Sequence, residues 1–182
     1  LGELGVMGMP FPQEYGGAGA DYIAYIMAIE ELSKVCASHG VIVQTHNALC
    51  CWPIFTYGTE EQKRKYLPDL LSGKKLGAFG LTEPNAGTDA AMQQTKAEDK
   101  GDHWLLNGSK VFISGGGIAE VYVIMAMTDK SKGTRGISAF IVEKGMPGFS
   151  RGKKENKMGI RGSIAAELVF EDCVVPKENL LG

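Results

Sequence analysis

The 182-residue sequence predicts an α+β fold: a helical N-terminal domain over residues 1–74, followed by an antiparallel β-barrel or sandwich over residues 75–182. Three observations predict it. Apolar residues recur at spacings of three and four before Ser72, the period drops to two from Leu76 onward, and the later apolar runs are short and divided by Gly and Pro turns. The boundary falls at Ser72–Lys75, where Gly73-Lys74-Lys75 reads as an exposed link.

Taken in order, Leu1–Met9 reads as the end of an element passing into a loop that Pro10, Pro12 and Gly16-Gly17-Ala18-Gly19 prolong. Asp21 is then the N-cap of a helix whose inward stripe is Tyr22, Ile23, Ile26, Ile29, Leu32 and Val35, with Glu30, Glu31 and Lys34 on the solvated side. Glu30 and Glu31 diverge as helical neighbours and make no acid–base pair. A second helix is predicted over Val41–Tyr57, interrupted near Pro53 and capped by Gly58. Thr59 with Gln62 three residues on is a capping box that opens a third helix, with Glu60 and Glu61 in its positive first turn and Gly73 at its end.

Strand patterning begins at Leu76. Asn107-Gly108 between Trp104-Leu105-Leu106 and Val111-Phe112-Ile113 predicts a hairpin. Further strands are predicted at Val121–Met127, Ile137–Val142 and Glu167–Val175, with turns at Lys132-Gly133, Pro147-Gly148 and Gly159–Gly162. This makes six or more strands.

Composition narrows the function classes. With 19 basic and 21 acidic residues the net charge is −2, so no overall field attracts nucleic acid or an acidic membrane. Lys63-Arg64-Lys65 reads as a solvated helix face, and Arg151, Lys153 and Lys154 as a solvated loop or strand. The four cysteines form no Cys-x-x-Cys pair, which fits a reducing compartment. His46 and Cys50 read as a buried histidine and thiol rather than metal ligands, since two further ligands are not in view. No run of about 18 apolar residues predicts a membrane span, and no targeting segment is visible. A start at Leu1 and an end at Leu-Leu-Gly read as those of a fragment.

The stretch Leu76–Ala90 is where the two halves meet and where polar residues crowd together. Gly77 and Gly80 open the backbone to a close, flat neighbour, while Thr82, Glu83, Asn85, Thr88 and Asp89 surround a turn with available N–H groups. Residue types alone fit both an ordinary turn and a loop that holds a cofactor by its polar edges.

Gly80-Leu-Thr-Glu-Pro-Asn-Ala-Gly-Thr-Asp89 resembles the flavin-binding loop of acyl-CoA dehydrogenases. Tyr15-Gly-Gly-Ala-Gly-Ala-Asp21, Gly58-Thr-Glu-Glu-Gln-Lys63 with Tyr66-Leu67-Pro68, Leu106-Asn-Gly-Ser-Lys-Val-Phe-Ile-Ser-Gly115, and Lys157-Met-Gly-Ile-Arg161 with Leu168-Val-Phe-Glu-Asp172 and Val175-Pro-Lys-Glu-Asn179 are similar to further motifs of that family, in its order. The resemblance spans nearly the whole chain and is nearest to bacterial short-chain, butyryl-CoA dehydrogenases. It implies the family's N-terminal helical domain without its first helices, then its middle β-domain, with the C-terminal helical domain absent.

The implied activity is FAD-dependent α,β-dehydrogenation of an acyl-CoA, with electrons passing to an electron-transferring flavoprotein. The full-length protein is expected to be a homotetramer, cytoplasmic in a bacterium or in the mitochondrial matrix of a eukaryote. Phe79, Leu81, Thr82, Thr88, Phe112, Ile113 and Ser114 are the implied cofactor-binding residues, Thr88 also touching substrate. Thr82 would donate to the pyrimidine edge of the flavin, Ser114 would bond near N5, and Phe112 would lie on the flavin face away from substrate. The stretch Gln44–Leu49 would line part of the acyl pocket. No catalytic base is assigned within this chain, because the family carries its glutamate beyond the middle domain, and Glu83 is given a structural role. Gly115, where many relatives carry Asn, and Ile164 with Ala165, where Ser or Thr is common, depart from the pattern. An acyl-CoA oxidase or another flavin enzyme of the superfamily, or a non-catalytic flavin-fold binding module, are the alternatives.

Overall fold

Helix α1 (Tyr22–Val35) begins where Asp21 Oδ1 accepts the Ala24 N–H at 2.8 Å, as its sequence predicts. Its apolar stripe is wider than one neighbour can cover. Tyr25 is buried against Met7 and Val43, with Ile29 and Leu32 at the margin, whereas Ile23 (74% exposed), Ile26 and Val35 (90%) remain in the open, contrary to the inward stripe expected of them. This computed structural model describes residues 1–182.

Helix α2 (Ala37–Thr45) starts four residues earlier than predicted, because an extended Cys36 separates it from α1. The predicted interruption lies ahead of Pro53 rather than at it. Residues His46–Cys51 form a π-helical turn, with the Trp52 N–H donating to Asn47 O, and α3 (Trp52–Tyr57) follows with Pro53 in its first turn. Pro53 has no N–H for the carbonyl four residues back and its ring crowds that carbonyl, so the preceding turn widens. Gly58 ends α3 with φ −71° rather than in a left-handed cap. Its glycine serves proximity, since a Cβ there would stand 2.4 Å from Ile54 O.

The capping box of α4 (Glu60–Leu71) is complete: the Thr59 N–H donates to Gln62 Oε1 at 2.9 Å and the Gln62 N–H to Thr59 Oγ1 at 3.2 Å. Gly73 then turns the chain at φ 73°.

Eight strands follow: β1 (Gly77–Gly80), β2 (Lys96–Asp99), β3 (His103–Ser114), β4 (Val121–Met127), β5 (Ile137–Glu143), β6 (Phe149–Lys154), β7 (Ala165–Pro176) and β8 (Leu180–Leu181). They pair in the order β6-β7-β3-β2-β4-β5-β8, with β1 added on β4. The sheet is not wholly antiparallel, since β1 runs parallel to β4 and β2 meets β4 in a parallel bridge. A strand that arrives from a helix rather than a hairpin is free to run that way.

The predicted hairpin at Asn107-Gly108 is absent. Strand β3 runs through both residues, and the tight turn lies before it at Gly101 (φ 95°), where the Lys100 N–H donates to His103 O at 3.0 Å. Gly108 is needed for packing instead, since a Cβ there would lie 2.7 Å from Thr95 Cα. Asn107 faces a bulge in β7 at Asp172 (φ 49°): its Nδ2 donates to Asp172 Oδ1 at 3.0 Å and its Oδ1 accepts the Asp172 N–H at 2.9 Å.

Alternation along β4 divides the core. Tyr122, Ile124 and Ala126 face the interior of the curled sheet with Leu106, Phe140, Leu168 and Phe170, while Val121 and Val123 face the helices with Ile141, Ile54, Leu67 and Leu70. Both faces of β4 are therefore buried, and the main apolar contact of the helices is with the sheet.

Candidate active site

Two chain segments meet below the helices: the exit of β1 into Leu81–Glu83, and the last residues of β3. Phe79, Leu81 and Thr82 from the first, Phe112, Ile113 and Ser114 from the second, and Thr45 and Leu49 from above line one open cavity of about 340 Å³. Six of the seven residues implied by the sequence are thus brought together. Thr88 is not; it lies exposed in the turn that follows. Thr45 and Leu49 lie within Gln44–Leu49, which the sequence singled out only as a stretch.

The close neighbours that Gly77 and Gly80 admit are this chain's own side chains. A Cβ at Gly77 would stand 2.4 Å from Cys50 Sγ, and one at Gly80 would stand 2.7 Å from Ile124 Cδ1 and 3.3 Å from Lys110 Cγ.

A second bulge shapes the far wall. The register of β3 against β7 slips between Lys110 and Ile113, and Phe112 there has φ 60°, a left-handed backbone that costs a non-glycine residue roughly 1–2 kcal/mol. The bulge turns the Phe112 ring outward, 65% exposed at the cavity, while Ile113 is buried. The strained backbone thus leaves a large aromatic side chain in the open at the cavity.

Polar capacity in the cavity is unspent. The Thr82 carbonyl accepts the Val111 N–H at 2.8 Å, but the Thr82 N–H and hydroxyl and the Ser114 hydroxyl have no partner in the chain. No carboxylate lines the cavity. Glu83 is buried behind it and accepts from Gln94 N–H at 2.5 Å, Thr95 N–H at 3.0 Å and Lys110 Nζ at 2.7 Å. Burial pushes its pKa up, but these donors outweigh burial and hold the carboxyl below the usual range. Lys110, fully buried, also donates to Leu81 O at 3.0 Å and Gln93 Oε1 at 3.1 Å; burial pulls its pKa down against the opposing pull of Glu83. The sequence reading gave Lys110 no role, and an isolated Lys in a strand carries no sign of burial until its partners are seen around it.

Above the cavity, His46 joins helix to sheet. The Gly77 N–H donates to its Nδ1 at 2.9 Å, which leaves Nε2–H to donate to Leu70 O at 3.0 Å. His46 and Cys50 are buried, as expected of them. Burial pushes the Cys50 thiol up to about 12.

Residues 1–74 match the family description "Acyl-CoA dehydrogenase, N-terminal domain", and residues 78–173 match "Acyl-CoA dehydrogenase, middle domain". The chain belongs to the acyl-CoA dehydrogenase family. Over its whole length it is 60% identical to a short-chain specific acyl-CoA dehydrogenase of Clostridium acetobutylicum, covering 48% of that relative. Its fold superposes on the butyryl-CoA dehydrogenase of Megasphaera elsdenii with a TM-score of 0.96 at 54% identity, covering all of this chain and 49% of that one. An acyl-CoA dehydrogenase of Bacillus anthracis solved in complex with FAD matches with a TM-score of 0.92 at 42% identity, over all of this chain and 31% of that one. The chain thus spans about half the length of the curated acyl-CoA dehydrogenases it matches. No helix in it is long and apolar enough to cross a membrane.

Proposed function

We propose that these residues form the N-terminal (1–74) and middle (75–182) domains of an FAD-dependent dehydrogenase. It would convert a short-chain, butyryl-CoA-like thioester to the trans-2-enoyl-CoA and pass electrons to an electron-transferring flavoprotein. The observation that carries this reading is the unpartnered Thr82 N–H and hydroxyl beside the unpartnered Ser114 hydroxyl, set between the apolar walls of Phe79, Leu81 and Phe112. That donor set suits a flat ring system with apolar faces and a hydrogen-bonding edge.

When bound, FAD supplies the acceptor for the hydride that leaves the β-carbon. Thr82 and Ser114 orient the ring edge, and preorganised donors aimed at developing negative charge need not be reorganised during the reaction. Phe112 would cover one ring face against water. Thr88, outside the cavity, is assigned to the outer part of the cofactor or to CoA. The family resemblance implies that the base that takes the α-proton comes from a C-terminal helical domain, and the lack of a carboxylate in the cavity and the commitment of Glu83 to three donors are consistent with that. The whole enzyme is proposed to be a homotetramer of the bacterial cytoplasm or mitochondrial matrix. The 182 residues alone would be inactive and hold FAD weakly.

Anaerobic addition of butyryl-CoA to the full-length enzyme tests this. The flavin's visible band should bleach and recover faster with electron-transferring flavoprotein than with air. Thr82→Val should slow the bleaching by on the order of tenfold to a hundredfold. Absence of bleaching would refute dehydrogenation of this substrate, and rapid recovery in air would identify an oxidase.

A further inference from the structure

The Leu81–Thr82 peptide is held from behind by a charge. In a trans peptide the C=O and N–H point in opposite directions. The Leu81 carbonyl is turned toward Lys110 Nζ, 3.0 Å away, so the Thr82 N–H of the same peptide unit is turned the other way, toward the cavity that Thr82 lines. The next peptide is pinned from the same strand, since the Thr82 carbonyl accepts the Val111 N–H at 2.8 Å. Adjacent residues of β3 thus grip both peptides that flank Thr82.

We propose that Lys110 is a positioning residue of this site, setting the direction and the donor strength of the Thr82 N–H through the Leu81 carbonyl, with Glu83 as its counter-charge. The inference rests on the flavin reading above. Three acceptors, Leu81 O, Glu83 Oε1 and Gln93 Oε1, use the three protons of the ammonium, and no water need enter. A buried ion pair is a poor device for stability, because apolar residues of similar volume do as well. Its presence directly behind a cavity-lining peptide points to orientation instead. Gly80 supplies the room, since a Cβ there would crowd Lys110 Cγ at 3.3 Å. A cation on the carbonyl also polarises the amide, and a polarised N–H donates more strongly to a partner that gains negative charge.

The test uses the full-length enzyme and reads the bound flavin's midpoint potential and the FAD dissociation constant. In Lys110→Met, which keeps length without charge, the potential should move to more negative values and the dissociation constant should rise about tenfold, the effect of losing one modest charge-assisted contact. Lys110→Arg should restore part of the potential. A folded Lys110→Met enzyme with wild-type potential and FAD affinity overturns the proposal. Should Lys110→Met fail to fold, Glu83→Gln decides: with the counter-charge gone the potential should rise, and an unchanged potential overturns the proposal. A wild-type enzyme that takes up no FAD overturns the flavin reading and this inference together, whereas FAD uptake with insensitive variants overturns this inference alone.

Discussion

His46 shows how one side chain can tie a pH dependence to the fold. Its Nδ1 accepts the Gly77 N–H, so the ring must be neutral, and burial pushes its pKa down from 6.5 to about 4, with the Leu70 carbonyl partly opposing. The unfolded chain takes up a proton near pH 6.5 and the native state does so only near 4, so the unfolded state binds more protons between these values. Stability is therefore complete above pH 6.5 and falls as pH drops toward 4, by about 3 kcal/mol for 2.5 units at 1.36 kcal/mol each. Urea midpoints measured from pH 7 to pH 4.5 should show this slope in the wild type. They should show a flatter one in His46→Leu, which starts lower because the Gly77 N–H loses its acceptor. An equal slope in both would remove His46 as its source.

Elements differ in how far their residues announced them. The cap of α4 was legible because all its parts lie within four residues, and β4 and β5 were legible because their apolar runs are bounded by turns. Strand β3 was misread at Asn107-Gly108, since that dipeptide reports a local backbone preference while its actual partners, Thr95 and Asp172, lie far away in sequence. The same distance hid the Lys110–Glu83 pair and the bulge at Phe112. The cavity-lining residues were legible as a group through the resemblance of their motifs, but Thr88 shares a motif with Thr82 without sharing its cavity. Gly108→Ala separates the two readings of that dipeptide. Its new Cβ would meet Thr95 at a backbone with φ 145°, so urea unfolding should show a loss of roughly 2–3 kcal/mol. Asn107→Ala, which loses the two bonds to Asp172, should cost nearer 1 kcal/mol. A free type I′ turn would also disfavour alanine at 108, but only by about 1 kcal/mol, so the larger loss marks the contact with Thr95.

At the scale of the molecule, helices and sheet are joined by a shared apolar cluster. Ile54, Leu67 and Leu70 pack with Val121, Val123, Ile141 and Leu181 in a single cluster, although residues 1–74 and 78–173 match separate domain descriptions. Calorimetry of residues 1–182 should accordingly give one transition, with calorimetric and van't Hoff enthalpies in agreement; two resolved transitions would show that the helical part melts by itself. Gln62 makes this sharing concrete. Its Nε2 reaches across to Glu178 O at 2.6 Å and Leu180 O at 2.8 Å, so the residue that starts α4 also holds the last strand. A protease nick in the Gly73–Lys75 link would therefore leave two pieces that stay together on a sizing column. The continuity of the backbone there should be dispensable, because the clasp at Gln62 and the shared apolar cluster bind the helices to β4, β5 and β8 without it.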